Sequence, residues 1–160
     1  MNKIKIAFIL PSKSKNWQTP ESSFIYKYLI TTFKTSCLED FVYKFFVGYD
    51  EDDEFYNNVN NITFLQNQNI NIEFHKLNIE KGYLTKMWNV LGKIAFTENY
   101  DYIYICGDDI QFLHSNWISA CIEKLVNNNI GVTGPSSENS GLLEQNFVHR
   151  THYKIFIVQV

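Results

Sequence analysis

Short apolar runs alternate with amphipathic stretches along this chain, a pattern typical of a sheet whose strands are covered by helices. Apolar residues recur at helical spacing from Leu84 to Ala95, which predicts an amphipathic helix there. The region from Gly131 to Gly134 and the aromatic tail from Phe147 to Val160 also have the composition of strands. Further apolar runs predict strands at residues 4–10, 42–49 and 102–106, and the alternation of Ile70, Ile72 and Phe74 with polar residues predicts another at 70–77.

The order of these elements predicts an α/β fold, with a Rossmann-like, mostly parallel sheet and helices on both faces. Thr19 and Pro20 have the residue types of a helix start and follow the first strand. In such sheets ligands bind beyond the carboxyl ends of the strands. We therefore expect one shared edge for the loops that begin at Pro11, Asp50 and Gly107.

Length and charge narrow the class of protein further. A chain of 160 residues is expected to form one domain. With 14 Lys+Arg against 17 Asp+Glu, it has no surplus of basic residues to neutralise phosphates, which excludes a nucleic-acid partner. The three cysteines lack metal-ligand spacing, and no apolar run reaches the roughly 20 residues that span a membrane. The apolar start is not expected to be a signal peptide, because Lys5 interrupts it and Pro11 follows it instead of a small-residue cleavage site. A cytoplasmic location with reduced thiols is expected.

The strongest candidate for chemistry is Gly107-Asp108-Asp109, which follows the fully apolar fourth strand. Two unit charges about 4 Å apart repel by roughly 4 kcal/mol at an effective dielectric constant near 20. A divalent cation would remove this conflict, and carboxylates together with phosphate oxygens suit Mg²⁺ or Mn²⁺. The glycine would let a ligand approach the backbone closely. The alternative interpretation is a solvated turn at the end of a strand.

Polar side chains elsewhere in the chain are further candidates for contact with a ligand. Asp50 ends the second strand and could accept hydrogen bonds from a nucleobase or ribose, whereas most of the acidic cluster 50–54 is expected to be a solvated loop. The loop 11–15 lacks the glycine pattern of a phosphate-binding loop, but it could supply backbone and lysine contacts to a diphosphate. Either His149 or His152 could contact a sugar or a metal, but a solvated pair on a strand is the favoured interpretation.

The segment around the aspartate pair resembles the GT-A glycosyltransferases, especially their family-two-like group. There an apolar strand ends in an Asp-x-Asp-type metal motif, a Trp-containing helix start follows, and a later strand ends in Gly-Pro. The similar segments here are residues 102–112, 116–118 and 130–135. Upstream similarity to the first-strand, second-strand and helix motifs is carried by residues 8–12, by 46–50, and by Gly82 with Lys86 and Asn89. This sequence departs from the family at Gly107, where the motif begins with Asp, and at Lys86, where the family has Arg.

The resemblance implies a metal-dependent enzyme that moves a sugar from a nucleotide-diphosphate donor, a UDP-sugar first among them, to a hydroxyl acceptor. Mn²⁺ or Mg²⁺ would bind Asp109 with Asp108 beside it, and Asp108 would also contact the ribose. The catalytic base is not assigned. The other residues carried over are Pro11, Ser12 and Asp50 against the nucleotide, Lys86 on the diphosphate, and Asn89 holding its helix against the site.

The resemblance covers about residues 3–135 and implies a domain shortened at its carboxyl end. Residues 1–160 then form one domain, with a nucleotide-sugar-binding half at 1–135 and a short acceptor-side remnant at 136–160. We expect nucleotide binding without efficient sugar transfer, and a homodimer contact through the C-terminal strand.

Two alternatives come from other classes of protein. The first is a non-catalytic nucleotide-sugar-binding or scaffold protein derived from a glycosyltransferase, and metal-dependent turnover of a nucleotide sugar separates it from the enzyme. The second is a receiver-like domain phosphorylated on an aspartate. It is disfavoured because Leu10-Pro11-Ser12 offers no aspartate cluster at the end of the first strand.

Overall fold

The computed structural model describes residues 3–37, 39–125, 127, 129–135 and 145–156. Their five strands form one sheet in the order β3-β2-β1-β4-β5. The first four strands are parallel, and β5 runs antiparallel to β4. The strands are β1 (Lys5–Pro11), β2 (Val42–Asp50), β3 (Ile72–Leu77), β4 (Tyr102–Ile105) and β5 (Asn146–His149).

Helices cover both faces of the sheet, as predicted. Along β1, Ile6, Phe8 and Leu10 belong to one apolar core, whereas Ala7 and Ile9 belong to the other. A 3-10 turn (Pro20–Ser22) precedes the helices on the side of the first core. That core packs against a π-helical stretch (Ile25–Ile30) that continues into α1 (Thr31–Ser36), then α2 (Glu54–Asn57), α3 (Val59–Gln66) and α5 (Trp117–Leu125). The second core packs against α4 (Leu84–Thr97) and α6 (Arg150–Phe156).

The strand order reverses between β1 and β4. The chain moves outward from β1 through β2 to β3, and α4 then carries it back to β4 on the other side of β1. The connections that leave β1 and β4 therefore run in opposite directions, which opens a crevice at the carboxyl ends of these two strands. This is the position where a doubly wound sheet binds its ligand.

The carboxyl-terminal part of the chain differs from the prediction. In place of a strand at 131–134, the structure has a single bridge from Thr133 to Phe147. The predicted strand over the tail is wrong from Arg150 to Phe156, which form α6, and residues 157–160 lie outside the described residues. An apolar run of this length cannot be assigned to strand or helix by periodicity alone. The proposed dimer strand is helical over its described part, so a homodimer stays a prediction.

Two expectations about the class of protein can be compared with the fold. Cys37, Cys106 and Cys121 are all buried with free thiols, which is compatible with the expected reduced state. Among the described residues, no helix has both the length and the apolar character needed to cross a bilayer.

Candidate functional site

A cavity of about 970 Å³ opens at the carboxyl ends of β1, β2 and β4. Its walls come from the loop after β1, the end of β2, the first turns of α4, the loop after β4, and α6. The predicted shared edge for the loops at Pro11, Asp50 and Gly107 is therefore present. The aspartate pair lies at the point where the strand order reverses.

Ser12 and Asp108 join the two sides of the crevice. The backbone N–H of Ser12 donates to the Gly48 carbonyl at 2.8 Å, and only 4% of the residue is exposed. Its Oγ donates to Oδ2 of Asp108 at 2.5 Å and lies 2.5 Å from the Tyr56 hydroxyl. A serine has one hydroxyl proton, and here the carboxylate receives it, so the Tyr56 hydroxyl must donate to Ser12.

The two adjacent aspartates have different environments. Burial raises the pKa of Asp108, the hydrogen bond from Ser12 opposes that shift, and the nearby charge of Asp109 adds to it. Asp109 is exposed, and no hydrogen bond or ion pair joins its carboxylate to another residue in the described part of the chain. A Cβ atom at Gly107 would lie 2.9 Å from Oδ1 of Asp109, so the glycine leaves room for this carboxylate.

This donor set can be compared with what a divalent cation requires. Ser12 already engages Oδ2 of Asp108, which leaves Oδ1 and the two oxygens of Asp109. No group of three or more His, Cys, Asp or Glu side chains within the described ranges could hold a metal ion. Mg²⁺ typically binds through one or two carboxylates plus substrate phosphates and water. The residues present therefore fit a cation shared with a diphosphate, and they do not fit one held by the protein alone.

Asp50 and Asp53 have separate roles in the acidic segment. Asp50 ends β2, is half-buried and lines the cavity. Asp53 is buried and caps α2, because its Oδ1 accepts from the backbone N–H of Phe55 (3.1 Å) and Tyr56 (3.2 Å). Its Oδ2 accepts from the N–H of Ser14 at 2.8 Å. Asp53 is thus an exception to the solvated loop expected for most of residues 50–54. Its place before a short helical run is the sequence signal for this cap.

The two α4 residues singled out in the sequence lie in different places. Asn89 lines the cavity. Lys86 is exposed, its Nζ lies 4.3 Å from the ring centre of Tyr83, and it is not among the cavity residues. Instead, the loop lysines Lys13 and Lys15 line the cavity together with Lys81. No motif in the sequence singled out Lys81. The structure therefore does not bring Lys86 together with the other predicted residues.

The wall opposite the β1 loop is formed by α4 and α6. The Trp88 indole N–H donates to the Cys106 carbonyl at 3.2 Å, which fixes this cavity-lining ring against the end of β4. His152 and Tyr153 of α6 also line the cavity, and burial lowers the pKa of His152. The solvated strand pair expected for His149 and His152 is wrong, because His149 ends β5 and His152 lies in α6.

Comparison with known proteins gives a fold and no closer relationship. No family model matches the sequence, and no curated protein matches it. Among solved structures, TarS of S. aureus has a TM-score of 0.60 at 15% identity over 95% of this chain. The mannosyltransferase PcManGT of Pyrobaculum calidifontis, in complex with GDP-Man and Mn²⁺, has a TM-score of 0.66 at 8% identity over 96% of this chain.

This chain spans about half of those two structures, 49% of TarS and 47% of PcManGT. A third neighbour, the CMP:2-keto-3-deoxy-manno-octonic acid synthetase in complex with CTP, has a TM-score of 0.56 at 8% identity, covering 95% of this chain and 77% of its own. The neighbours thus include both glycosyltransferases and a nucleotidyltransferase. At this level of identity the likeness concerns the fold alone, and the chain has the GT-A-like α/β fold of nucleotide-diphospho-sugar transferases.

Proposed function

We propose that this chain is the nucleotide-sugar-binding part of a metal-dependent glycosyltransferase, which moves a sugar from a nucleotide-diphosphate donor to a hydroxyl acceptor. The observation that carries this proposal is the bridge from Ser12 to Asp108, which holds one carboxylate beside the exposed carboxylate of Asp109 in the crevice of the sheet. A UDP-sugar is the first donor to test.

The donor would lie across the crevice, with its nucleotide toward β2. Asp50 would accept hydrogen bonds from the base or the ribose, because it is the cavity-lining carboxylate at the end of that strand. Pro11 would form the adjacent wall, and Lys13 and Lys15 would counter the charge of the diphosphate. The free Oδ1 of Asp108 is available to the ribose or to a cation. We do not assign a base for the acceptor hydroxyl.

Asp109, with Asp108 beside it, would hold Mn²⁺ or Mg²⁺ jointly with the diphosphate. When bound, the cation would act as a Lewis acid that neutralises charge on the leaving diphosphate. The Mn²⁺ and GDP-Man in the mannosyltransferase neighbour support this part of the proposal. Within this chain, Ser12 would keep the Asp108 carboxylate in place.

Nucleotidyl transfer is the second candidate, and the neighbour in complex with CTP favours it. This chain covers 77% of that neighbour, against about half of the two glycosyltransferases. Three cavity lysines, Lys13, Lys15 and Lys81, would suit a triphosphate. Nucleotidyl transfer uses a nucleoside triphosphate with a sugar acid or phosphate, whereas sugar transfer uses a nucleotide sugar. A turnover assay therefore separates the two reactions.

Calorimetric titration of UDP and GDP, with and without Mn²⁺, tests the site directly. Mn²⁺ should tighten UDP binding to the wild type and to the control Asp40→Asn, whose carboxylate is exposed and paired with Lys3. It should not do so for Asp109→Asn. Equal UDP affinity in all these titrations contradicts the proposal.

Turnover then identifies the reaction. Acceptor-dependent release of UDP from a UDP-sugar at about 1 per second or faster would show a complete active site. Metal-dependent binding with no turnover would identify a non-catalytic nucleotide-sugar-binding protein. Release of pyrophosphate from CTP would identify a nucleotidyltransferase.

A further inference from the structure

We propose that Tyr56 is a positioning residue, which acts through Ser12 to hold the Asp108 carboxylate ready for a cation. This inference rests on the proposed function, because it concerns the metal-dependent part of nucleotide binding. Tyr56 itself is not among the residues that line the cavity. Its effect on the site would be transmitted through two hydrogen bonds.

The two hydrogen bonds run in one direction. The hydroxyls and the carboxylate form one chain, from Tyr56 to Ser12 to Asp108, with both distances at 2.5 Å. A serine hydroxyl rotates freely and selects its acceptor from its surroundings. Because the Asp108 carboxylate accepts the single Ser12 proton, the Tyr56 hydroxyl donates to the Ser12 oxygen. Successive hydrogen bonds of this kind polarise and strengthen one another.

Tyr56 is held in place by its helix and by two neighbouring rings. It lies in α2, whose amino end is capped by Asp53, and its own N–H donates to that carboxylate at 3.2 Å. Its ring packs between Tyr49 and Phe74, with ring centres 5.2 and 5.7 Å away, and only 1% of the residue is exposed. The phenol therefore cannot turn to solvent for another partner.

Hydrogen bonds connect the β1 loop, on the nucleotide side of the site, to Asp108 on its acidic side. Asp53 also accepts from the N–H of Ser14, so the same carboxylate fixes both the β1 loop and the helix that carries Tyr56. Asp108 approaches this unit from β4, on the far side of the crevice. The two hydrogen bonds thus connect the β1 loop, on the nucleotide side of the crevice, to the end of β4, where the proposed cation ligands lie.

The test is the ratio of UDP dissociation constants without and with Mn²⁺, measured by calorimetry in five proteins. They are the wild type, Tyr56→Phe, Ser12→Ala, the double variant, and the control Tyr49→Phe. Tyr49 is the neighbouring buried tyrosine, and its hydroxyl takes no part in the hydrogen-bond chain. We expect Tyr56→Phe to reduce the ratio about three- to tenfold, the effect of one hydrogen bond. Tyr49→Phe should keep the wild-type ratio.

The double variant separates positioning from independent effects. If Tyr56 acts only through Ser12, the double variant has the same ratio as Ser12→Ala alone. UDP binding without metal should stay within about twofold of the wild type in Tyr56→Phe, because the ring is retained and Tyr56 does not line the cavity.

Each other outcome has a distinct meaning. If Mn²⁺ does not change UDP binding to the wild type, the proposed function fails and this inference fails with it. If Mn²⁺ tightens binding to the wild type and equally to Tyr56→Phe, the proposed function stands and the role of Tyr56 is overturned. Loss of metal-free UDP binding in Tyr56→Phe, or additive effects in the double variant, would also overturn it.

Discussion

The ring of Tyr153 in α6 packs directly on the backbone of α4 at Gly92, so closely that a Cβ atom at Gly92 would overlap the ring. Tyr153 is buried and lines the cavity, so this contact positions one wall of the site. We predict that Gly92→Ala lowers the free energy of unfolding by about 1–3 kcal/mol, as overpacking does in other cores. The loss should appear in urea denaturation although alanine favours a helix over glycine.

Tyr153→Leu provides the background that checks the cause. Leucine lacks the ring and hydroxyl atoms of Tyr153 that a methyl group at Gly92 would overlap, so it makes space for that group. Adding Gly92→Ala to Tyr153→Leu should therefore leave stability unchanged or raise it slightly. If the alanine costs the same in both backgrounds, the contact with Tyr153 is not the reason for the glycine.

Asp53 stabilises the fold beneath the site. It caps α2 through Phe55 and Tyr56 and also accepts from the Ser14 N–H, so its loss would leave three backbone donors without this partner. Asp53→Ala should reduce the free energy of unfolding by about 2 kcal/mol, at the upper end for helix caps. Urea denaturation with Asp52→Ala as control measures this, since Asp52 is exposed and pairs with the exposed Lys81. Equal stability of Asp53→Ala and the wild type would show that water replaces these bonds.

His75 makes stability depend on pH. Burial lowers its pKa, outweighing Glu73 at 3.3 Å and Glu98, which favour the charged form, while Lys44 opposes it. As the pH falls through about 6.5, the unfolded chain takes up a proton that the folded His75 accepts only at lower pH, so the free energy of unfolding falls. His75→Gln should lose less stability than the wild type between about pH 7.5 and pH 5.5, the range in which histidine titrates.

The control for His75 is His114→Gln, because His114 is exposed. Its stability should follow the wild type through the same range. If His75→Gln loses as much stability as the wild type on acidification, His75 does not contribute to the dependence on pH.

The regular elements around the site could be predicted because local pattern determines them. The apolar stripe that begins at Leu84 forms α4, and the run from Tyr102 forms β4 with the aspartate pair directly after it. Asparagine carries a further local signal, because it adopts the left-handed backbone conformation more readily than most other non-glycine residues. Every described non-glycine residue with positive φ is an asparagine, and Asn99 in this conformation ends α4, with the Tyr100 N–H bonded to the Ala95 carbonyl at 3.2 Å.

The contacts that build the site could not be predicted in this way. Ser12 and Asp108 are 96 positions apart, and their hydrogen bond exists only because β1 and β4 are neighbours in the sheet. The helix at Arg150–Phe156 equally depends on tertiary contacts, since Tyr153 packs against α4 at Gly92. Lys86 lies on the exposed face of α4, because the apolar stripe of that helix decides which side chains face the cavity.

Asp50 should contribute to nucleotide binding independently of the cation. Its carboxylate lines the cavity at the end of β2, on the opposite side of β1 from the aspartate pair. Asp50→Ala should weaken UDP binding by about 1–3 kcal/mol, the usual cost of leaving a polar partner unpaired.

The ratio of UDP affinities with and without Mn²⁺ should stay as in the wild type, because Asp108 and Asp109 are unchanged. Calorimetric titration of Asp50→Ala beside Glu51→Ala measures both quantities, and the exposed Glu51 provides the matched loss of one negative charge in the same loop. If Asp50→Ala binds UDP as tightly as Glu51→Ala, then Asp50 belongs to the solvated acidic loop. A change in the metal-dependent ratio would instead place Asp50 close enough to the cation to share its field, because a unit charge acts over about 10 Å at ordinary ionic strength.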